Sequence, residues 1–238
     1  MKIKNINLKQ ITLGALLISL CLILSQLNFL IPFKIKMPIV YSNFWVFWHF
    51  PLFIVCFLFK FRNALLIIII YFVLDTFTYS LPRYIIYNDW FHLMNNLKKN
   101  FTKDNYNLTL SILFGSLIPI LSYVLLSLNF NNNKEQKYFF NKKTVLFLFF
   151  VILLQSISRT LNGYFVFFYR IKTLLENNYN LNNNWMNFFL NILKNHNIKS
   201  FFILWILNII PIITSNLINF ILLSTMDKKI KKIHNHYH

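Results

Sequence analysis

Residues 144–168 read TVLFLFFVILLQSISRTLNGYFVFF. An apolar run long enough for the ~20 residues that cross a bilayer is interrupted by one fixed cation, Arg159. Strict alternation of polar and apolar residues is absent, so the stretch does not read as a barrel strand. Inside lipid every backbone N–H and C=O must be paired locally, which leaves a helix. A helix carrying arginine at such a depth costs about 2.5–3.5 kcal/mol on the insertion scale, so Arg159 must face the inside of a bundle.

The rest of the chain extends that reading. It has 238 residues, of which 57% are hydrophobic, more than a soluble domain carries. Six apolar segments are expected, at about 11–31, 44–59, 64–80, 107–128, 144–168 and 200–225. They form one membrane domain, residues 1–238, an all-α bundle of six transmembrane helices in a cell membrane. No internal repeat is visible. The second and third segments are joined only by KFRN and predict a tight hairpin.

The net charge of +18 does not mean nucleic acid, because the basic residues flank the apolar runs and no recognition motif gathers them. With both termini placed in the cytoplasm, the inner segments hold thirteen Lys and Arg and the outer loops ten. The short KFRN turn and the basic DKKIKKIHNHYH tail weigh most in that orientation. The tail, including His234, His236 and His238, reads as a solvated basic end. Outer connections 81–106 and 169–199 are long, and 81–106 is rich enough in aromatics to lie on the membrane surface. Cys21 and Cys56 sit in apolar runs without metal-ligand spacing and read as buried thiols.

Polar groups inside the spans are the chemically informative ones. Asp75, Arg159, Asn208 and His49 lie on four spans, roughly 7–14 Å below the outer surface at 1.5 Å per residue. They predict an outward-opening polar pocket, with Asp75 and Arg159 as a possible ion pair. Asn162 lies one turn beyond Arg159. Trp48 and Tyr164 would supply aromatic walls, which suits a planar polar heterocycle. Pro51 and Pro211 are expected to loosen their helices and free carbonyls. In the first span Gly14, Ala15 and Ser19 give a small-residue face that another helix can approach closely. No H-E-x-x-H, G-x-S-x-G or P-loop appears, so neither catalysis nor ATP hydrolysis is expected of this chain, and no cofactor or metal site is predicted.

Several of these stretches resemble the substrate-binding S components of energy-coupling factor (ECF) vitamin transporters. Ala15 and Ser19 in LGALLIS match the family's small-x-x-x-small docking face. YFVLDTFTYS looks like its third span, with isoleucines where the family has glycines. TLNGYFVFFYR resembles the fifth span of riboflavin-type members, and LNIIPIITSNLINFILL their sixth. Arg159 and the long 169–199 loop depart from the family pattern. The resemblance implies a subunit that captures a vitamin from outside, riboflavin first, then thiamine or folate. It further implies partners: a transmembrane coupling subunit and two ATPases that drive delivery inward. Trp48, Asp75, Arg159, Asn162, Tyr164 and Asn208 are the implied ligand contacts, and Gly14, Ala15 and Ser19 the docking face. An ion-coupled carrier or channel acting alone, with Asp75 and His49 as a proton path, is the alternative.

Overall fold

A computed structural model describes residues 8–30, 44–80, 108–129, 142–166, 192 and 197–237. Every described element is helical. Helix α1 runs Leu8–Leu30. A 3-10 turn, Phe47–His49, leads into α2, Phe50–Leu58. Helix α3, Phe61–Asp75, continues as a π turn, Thr76–Ser80. Helix α4 is a composite rod: Leu108–Ile112, a π turn at Leu113–Leu117, Ile118–Ser122, and a 3-10 stretch at Tyr123–Asn129. Helix α5 is Lys142–Phe165, α6 is Ile198–Thr225 and α7 is Asp227–Tyr237.

Five of these, α1, α3 with its π turn, α4, α5 and α6, are long and apolar enough to cross a membrane. Their outward faces confirm the solvent. Leu16 and Ile23 on α1, Ile69 and Val73 on α3, Phe149 on α5 and Ile206 and Ile221 on α6 are all exposed. In water, such a continuous apolar belt would be an aggregation surface. Meanwhile Gln155, Ser156, Asn208, Asn216 and Asn219 are buried. With apolar groups outside and amides inside, the chain is a multi-pass membrane protein.

The second expected span behaves differently. Its helical part, Phe47–Leu58, is roughly 18 Å long at 1.5 Å per residue, short of the ~30 Å hydrocarbon layer. Pro51, Leu52, Phe53, Val55, Cys56, Phe57 and Leu58 are all buried, so it is a core element rather than a lipid-facing crossing. Pro51 does not loosen it. The proline sits in the first turn, where its missing N–H has no intrahelical partner to lose. Only Phe59 and Lys60, both extended, separate α2 from α3, which gives the expected tight hairpin.

Directions follow from side-chain neighbours. Gly14 abuts Ile67, Ser25 meets Asp75 and Gln26 meets Thr78, so α1 and α3 run parallel. Ser158 meets Phe114 while Gln155 meets Pro119, and Gln155 meets Asn216 while Tyr164 meets Phe201. Helix α5 is therefore antiparallel to both α4 and α6. The apolar core joins α2, α3, α4, α5 and the inner face of α1, with Phe53, Ile68, Tyr71, Tyr123, Leu126 and Val151 fully enclosed. Cys21 and Cys56 are buried and free, as expected.

Candidate functional site

Proline shapes the polar interior. Pro119 cannot donate to the helix ladder, and the π turn just before it absorbs the defect. Carbonyls released from the regular ladder are taken up by α5. Ser158 Oγ donates to Phe114 O at 2.8 Å, and Gln155 Nε2 donates to Pro119 O at 3.1 Å. The same Nε2 reaches Ser122 Oγ at 3.1 Å, and Asn216 Nδ2 donates to Gln155 Oε1 at 2.8 Å. Gln155 thus bolts α4, α5 and α6 together. His49 Nδ1 shares a 3.0 Å hydrogen bond with the Tyr123 hydroxyl, which lies beside Gln155.

A second set of bonds holds the chain that enters α2. Thr214 Oγ1 donates to Phe44 O at 3.0 Å, and Val46 N donates to Ser215 Oγ at 2.9 Å. Trp45 Nε1 donates to Asn219 Oδ1 at 3.0 Å, and Asn219 Nδ2 donates to Val46 O at 3.2 Å. Residues 44–46 are not helical, so their backbone groups need partners inside the membrane domain, and α6 supplies them. Along α6, Thr214, Ser215 and Asn219 lie six, seven and eleven residues from Asn208, so the entrance to α2 is held roughly 9–16 Å from it.

Asp75 is placed elsewhere than the sequence suggested. It is buried, and its Oδ1 accepts from Ser25 Oγ and Tyr71 Oη, each at 3.4 Å. These partners lie on α1 and α3. Among the described residues Asp75 and Arg159 form no ion pair.

Arg159 and its neighbours form the group that remains. Arg159 is half-buried on α5, one turn beyond Gln155, and among the described residues its guanidinium makes no hydrogen bond or ion pair. His49 and Tyr123 lie close enough to feel its charge. Asn162, on the same helix face three residues on, has a buried Oδ1 with no hydrogen-bond partner among the described residues. Its amide sits where a side chain on Gly115 would go: a Cβ there would lie 2.8 Å from Asn162 Nδ2. Gly163 lets Asn208 approach, with 4.0 Å between a notional Cβ and Asn208 Nδ2. Asn208 is buried and donates to Leu204 O at 2.9 Å. Tyr164 packs edge-on to Phe201, ring centres 5.6 Å apart. Thus Arg159, Asn162, Tyr164 and Asn208 gather where α5 and α6 meet, with Asn162 also reaching α4, while Asp75 stands apart. Trp48 packs against Phe47 and His49, at the start of α2.

The expected docking residues split in the same way. Gly14 is buried against α3, where a Cβ would sit 3.0 Å from Ile67 Cδ1. Ala15 and Ser19 face outward. Gly14 and Ala15 line a shallow groove of about 200 Å³ between α1 and α3, with Ile18, Phe59 and Leu66. A second groove, about 320 Å³, lies along the same pair of helices at Gln26 and Thr78. Neither is lined by Arg159, Asn162 or Asn208. The outer connections expected to cover those residues, 81–106 and most of 169–199, fall outside the described residues.

No family profile, curated protein or solved structure matches the chain.

Gln155, Tyr123, Asn216 and Asn219 were not among the residues the sequence singled out. The signal for Asn219 was present. Asn208, Ser215 and Asn219 recur at helical spacing along α6 with Leu204 and Leu223, and all five are buried. An amide at the seam position of an apolar helix is a group that needs a partner.

Proposed function

We propose that this chain is the substrate-binding membrane subunit of an ECF-type importer, taking a water-soluble vitamin from outside the cell membrane. The observation that carries the reading is the pair Arg159 and Asn162. Among the described residues, one is a half-buried guanidinium with donors to spare, and the other an amide oxygen with no partner. Leaving such groups unsatisfied within a membrane domain costs about 1–3 kcal/mol each. A ligand that offers a carbonyl or carboxylate to Arg159 and an N–H to Asn162 removes that cost. The imide edge of a flavin presents this alternation of acceptor and donor, and the pterin of folate is a close variant. Tyr164 and Phe201 supply aromatic surface beside the site, and Asn208 a further amide. Riboflavin is the first choice, then thiamine or folate.

Without a nucleotide-binding motif the chain draws its energy from elsewhere, here a transmembrane coupling subunit and two ATPases. The exposed Ala15 and Ser19 beside the α1–α3 groove are the proposed docking face, and both termini are placed in the cytoplasm. The alternative proton path would have to link His49 to Asp75. Among the described residues no hydrogen bond joins the His49–Tyr123 pair to the Asp75–Tyr71–Ser25 group, so this reading has less support.

The test is direct. Purify the chain in mild detergent, denature it, and identify released small molecules by mass spectrometry. The expected result is one stoichiometric planar heterocycle, with no concentrative uptake by the chain alone in proteoliposomes. Proton-driven accumulation by the chain alone, with nothing co-purifying, would replace the proposal with the carrier reading.

A further inference from the structure

The tail expected to be a solvated basic end folds as α7, and its two faces differ in chemistry. Helix α6 ends at Met226, whose φ of −96° and ψ of 3° break the helix before Asp227 restarts it. Met226, Ile230 and Ile233 recur at spacings of four and three and so share one face. Ile230 on that face is buried in the core, where α7 packs against α2. Lys228, Lys229 and Lys232 are exposed. A short helix anchored by one apolar residue, with lysines turned away, is built to lie along an interface rather than to cross it.

The surroundings add charge of one sign. Lys9, Lys60 and Arg62 are exposed at the starts of the parallel helices α1 and α3. Lys142 and Lys143 are exposed at the start of α5, which is antiparallel to α6 and therefore begins at the end from which α7 springs. Asp227, in the first turn of α7, is the one acidic residue described at this end. At the opposite end the described residues offer Lys199 alone. Three lysines on α7 thus complete a basic rim around one mouth of the bundle, at the level where lipid headgroups lie.

We propose that α7 is a headgroup platform: Lys228, Lys229 and Lys232 bind the phosphates of anionic phospholipids and hold this end of the bundle against a negatively charged leaflet. The apolar anchor and the two-residue link from α2 to α3 tie the platform to the core. Lipid composition can therefore act on the bundle through α7. The inference does not depend on the identity of any transported ligand. Each surface lysine contributes on the order of 1 kcal/mol towards an anionic membrane, so removing three should weaken binding at least about tenfold.

The experiment uses the full chain, delipidated in neutral micelles and titrated with phosphatidylglycerol or phosphatidylcholine. Bound lipid is counted by native mass spectrometry. The wild type is expected to prefer phosphatidylglycerol at least about tenfold, and the K228Q/K229Q/K232Q variant to lose that preference. The Lys→Arg triple variant keeps the charge and should bind like wild type. Equal affinity of the wild type for the two lipids overturns the proposal. So does a Gln variant that still prefers phosphatidylglycerol, or an Arg variant that does not. Displacement of the lipid by inorganic phosphate at equal concentration would mean that free phosphate is the ligand, and would overturn it too.

Discussion

Asp75 and Arg159 lie in the bundle interior with opposite charges, and their surroundings differ in kind. Asp75 looks towards α1, where Ser25 joins Tyr71 of its own helix in donating to one carboxylate oxygen. Both contacts, at 3.4 Å, are longer than the ~2.7–2.8 Å of a good O–H···O bond, but the acid has internal partners. Arg159 shares its helix with Gln155 and Ser158, and those two side chains are used on the Pro119 and Phe114 carbonyls, on Ser122 and on Asn216. Among the described residues its own donors are left over. A carboxylate with intramolecular donors can be a structural feature. A guanidinium with no acceptor among the described residues is better explained by something that arrives.

This contrast predicts a large difference between two substitutions. Arg159→Ala should weaken ligand binding about 10- to 100-fold, the range for a charged hydrogen bond of about 1.5–3 kcal/mol. Arg159→Lys should recover little of it, because a point charge cannot reproduce the planar fork. Asp75→Asn, which keeps size and one acceptor, should change affinity less than about threefold. Titration of the purified variants with the ligand found by mass spectrometry measures all three. Equal losses at Arg159 and Asp75 would dissolve the distinction and return both residues to a single site.

The next effect is on folding. Gln155 satisfies Pro119 O, Ser122 Oγ and Asn216 Nδ2 from one side chain. Gln155→Leu keeps the volume but removes these three links among α4, α5 and α6, leaving Ser122 Oγ on Pro119 O and Asn216 Nδ2 on Ile212 O as bonds within single helices. About 2–3 kcal/mol of stability should be lost, read from unfolding in mixed micelles. Ser25→Ala removes only a long contact to Asp75 and should cost under about 1 kcal/mol. If the order reversed, the Asp75 cluster and not the Gln155 bolt would be the structural one.

How much of this was legible beforehand depends on the type of signal. The all-helical membrane class was readable from residues 144–168 and the other long apolar runs, because lipid leaves the backbone so few options. Arg159, Asn162 and Asn208 could be recognised as misfits and they do lie together. Asp75 and His49 could not be placed. The sequence carries depth along each helix but not rotation about it, and rotation turned Asp75 towards α1. The surroundings of His49 were hidden for a different reason. Residues 44–59 are apolar enough to read as a crossing, whereas α2 is a short buried helix whose entrance is stitched to α6 at Asn219. Composition does not distinguish a segment buried in protein from one bathed in lipid. The helical form of 227–237 was hidden because four basic residues in DKKIKK look like solvated tail until Ile230 finds the core.

Two glycines sharpen the comparison at smaller scale. On Gly115 a Cβ would lie 2.8 Å from the Asn162 amide, and on Gly14 a Cβ would lie 3.0 Å from Ile67 Cδ1. Gly115→Ala must push aside the amide proposed to read the ligand, so affinity should fall several-fold, about 3- to 10-fold, with little change in stability. Gly14→Ala meets the tip of a flexible apolar side chain that can swing away. Its cost to stability should be about 1 kcal/mol or less, offset in part by the better helix propensity of alanine, and affinity should not change. Paired ligand titrations and unfolding curves separate the two.

Tyr71→Phe carries the smallest expected effect. The hydroxyl gives Asp75 one of its two bonds, but at 3.4 Å that bond is weak, and the ring that encloses it is retained. Ser25 still supplies the other donor. Stability should drop by about 0.5–1 kcal/mol, with ligand affinity unchanged within error. Combining Tyr71→Phe with Ser25→Ala strips both donors and should cost more than the sum of the single changes, because only then is a buried acid left with nothing. Strict additivity in that double-mutant cycle would mean that Asp75 already has another partner. The view of Asp75 as an internally satisfied group, and with it the contrast to Arg159, would then have to be redrawn.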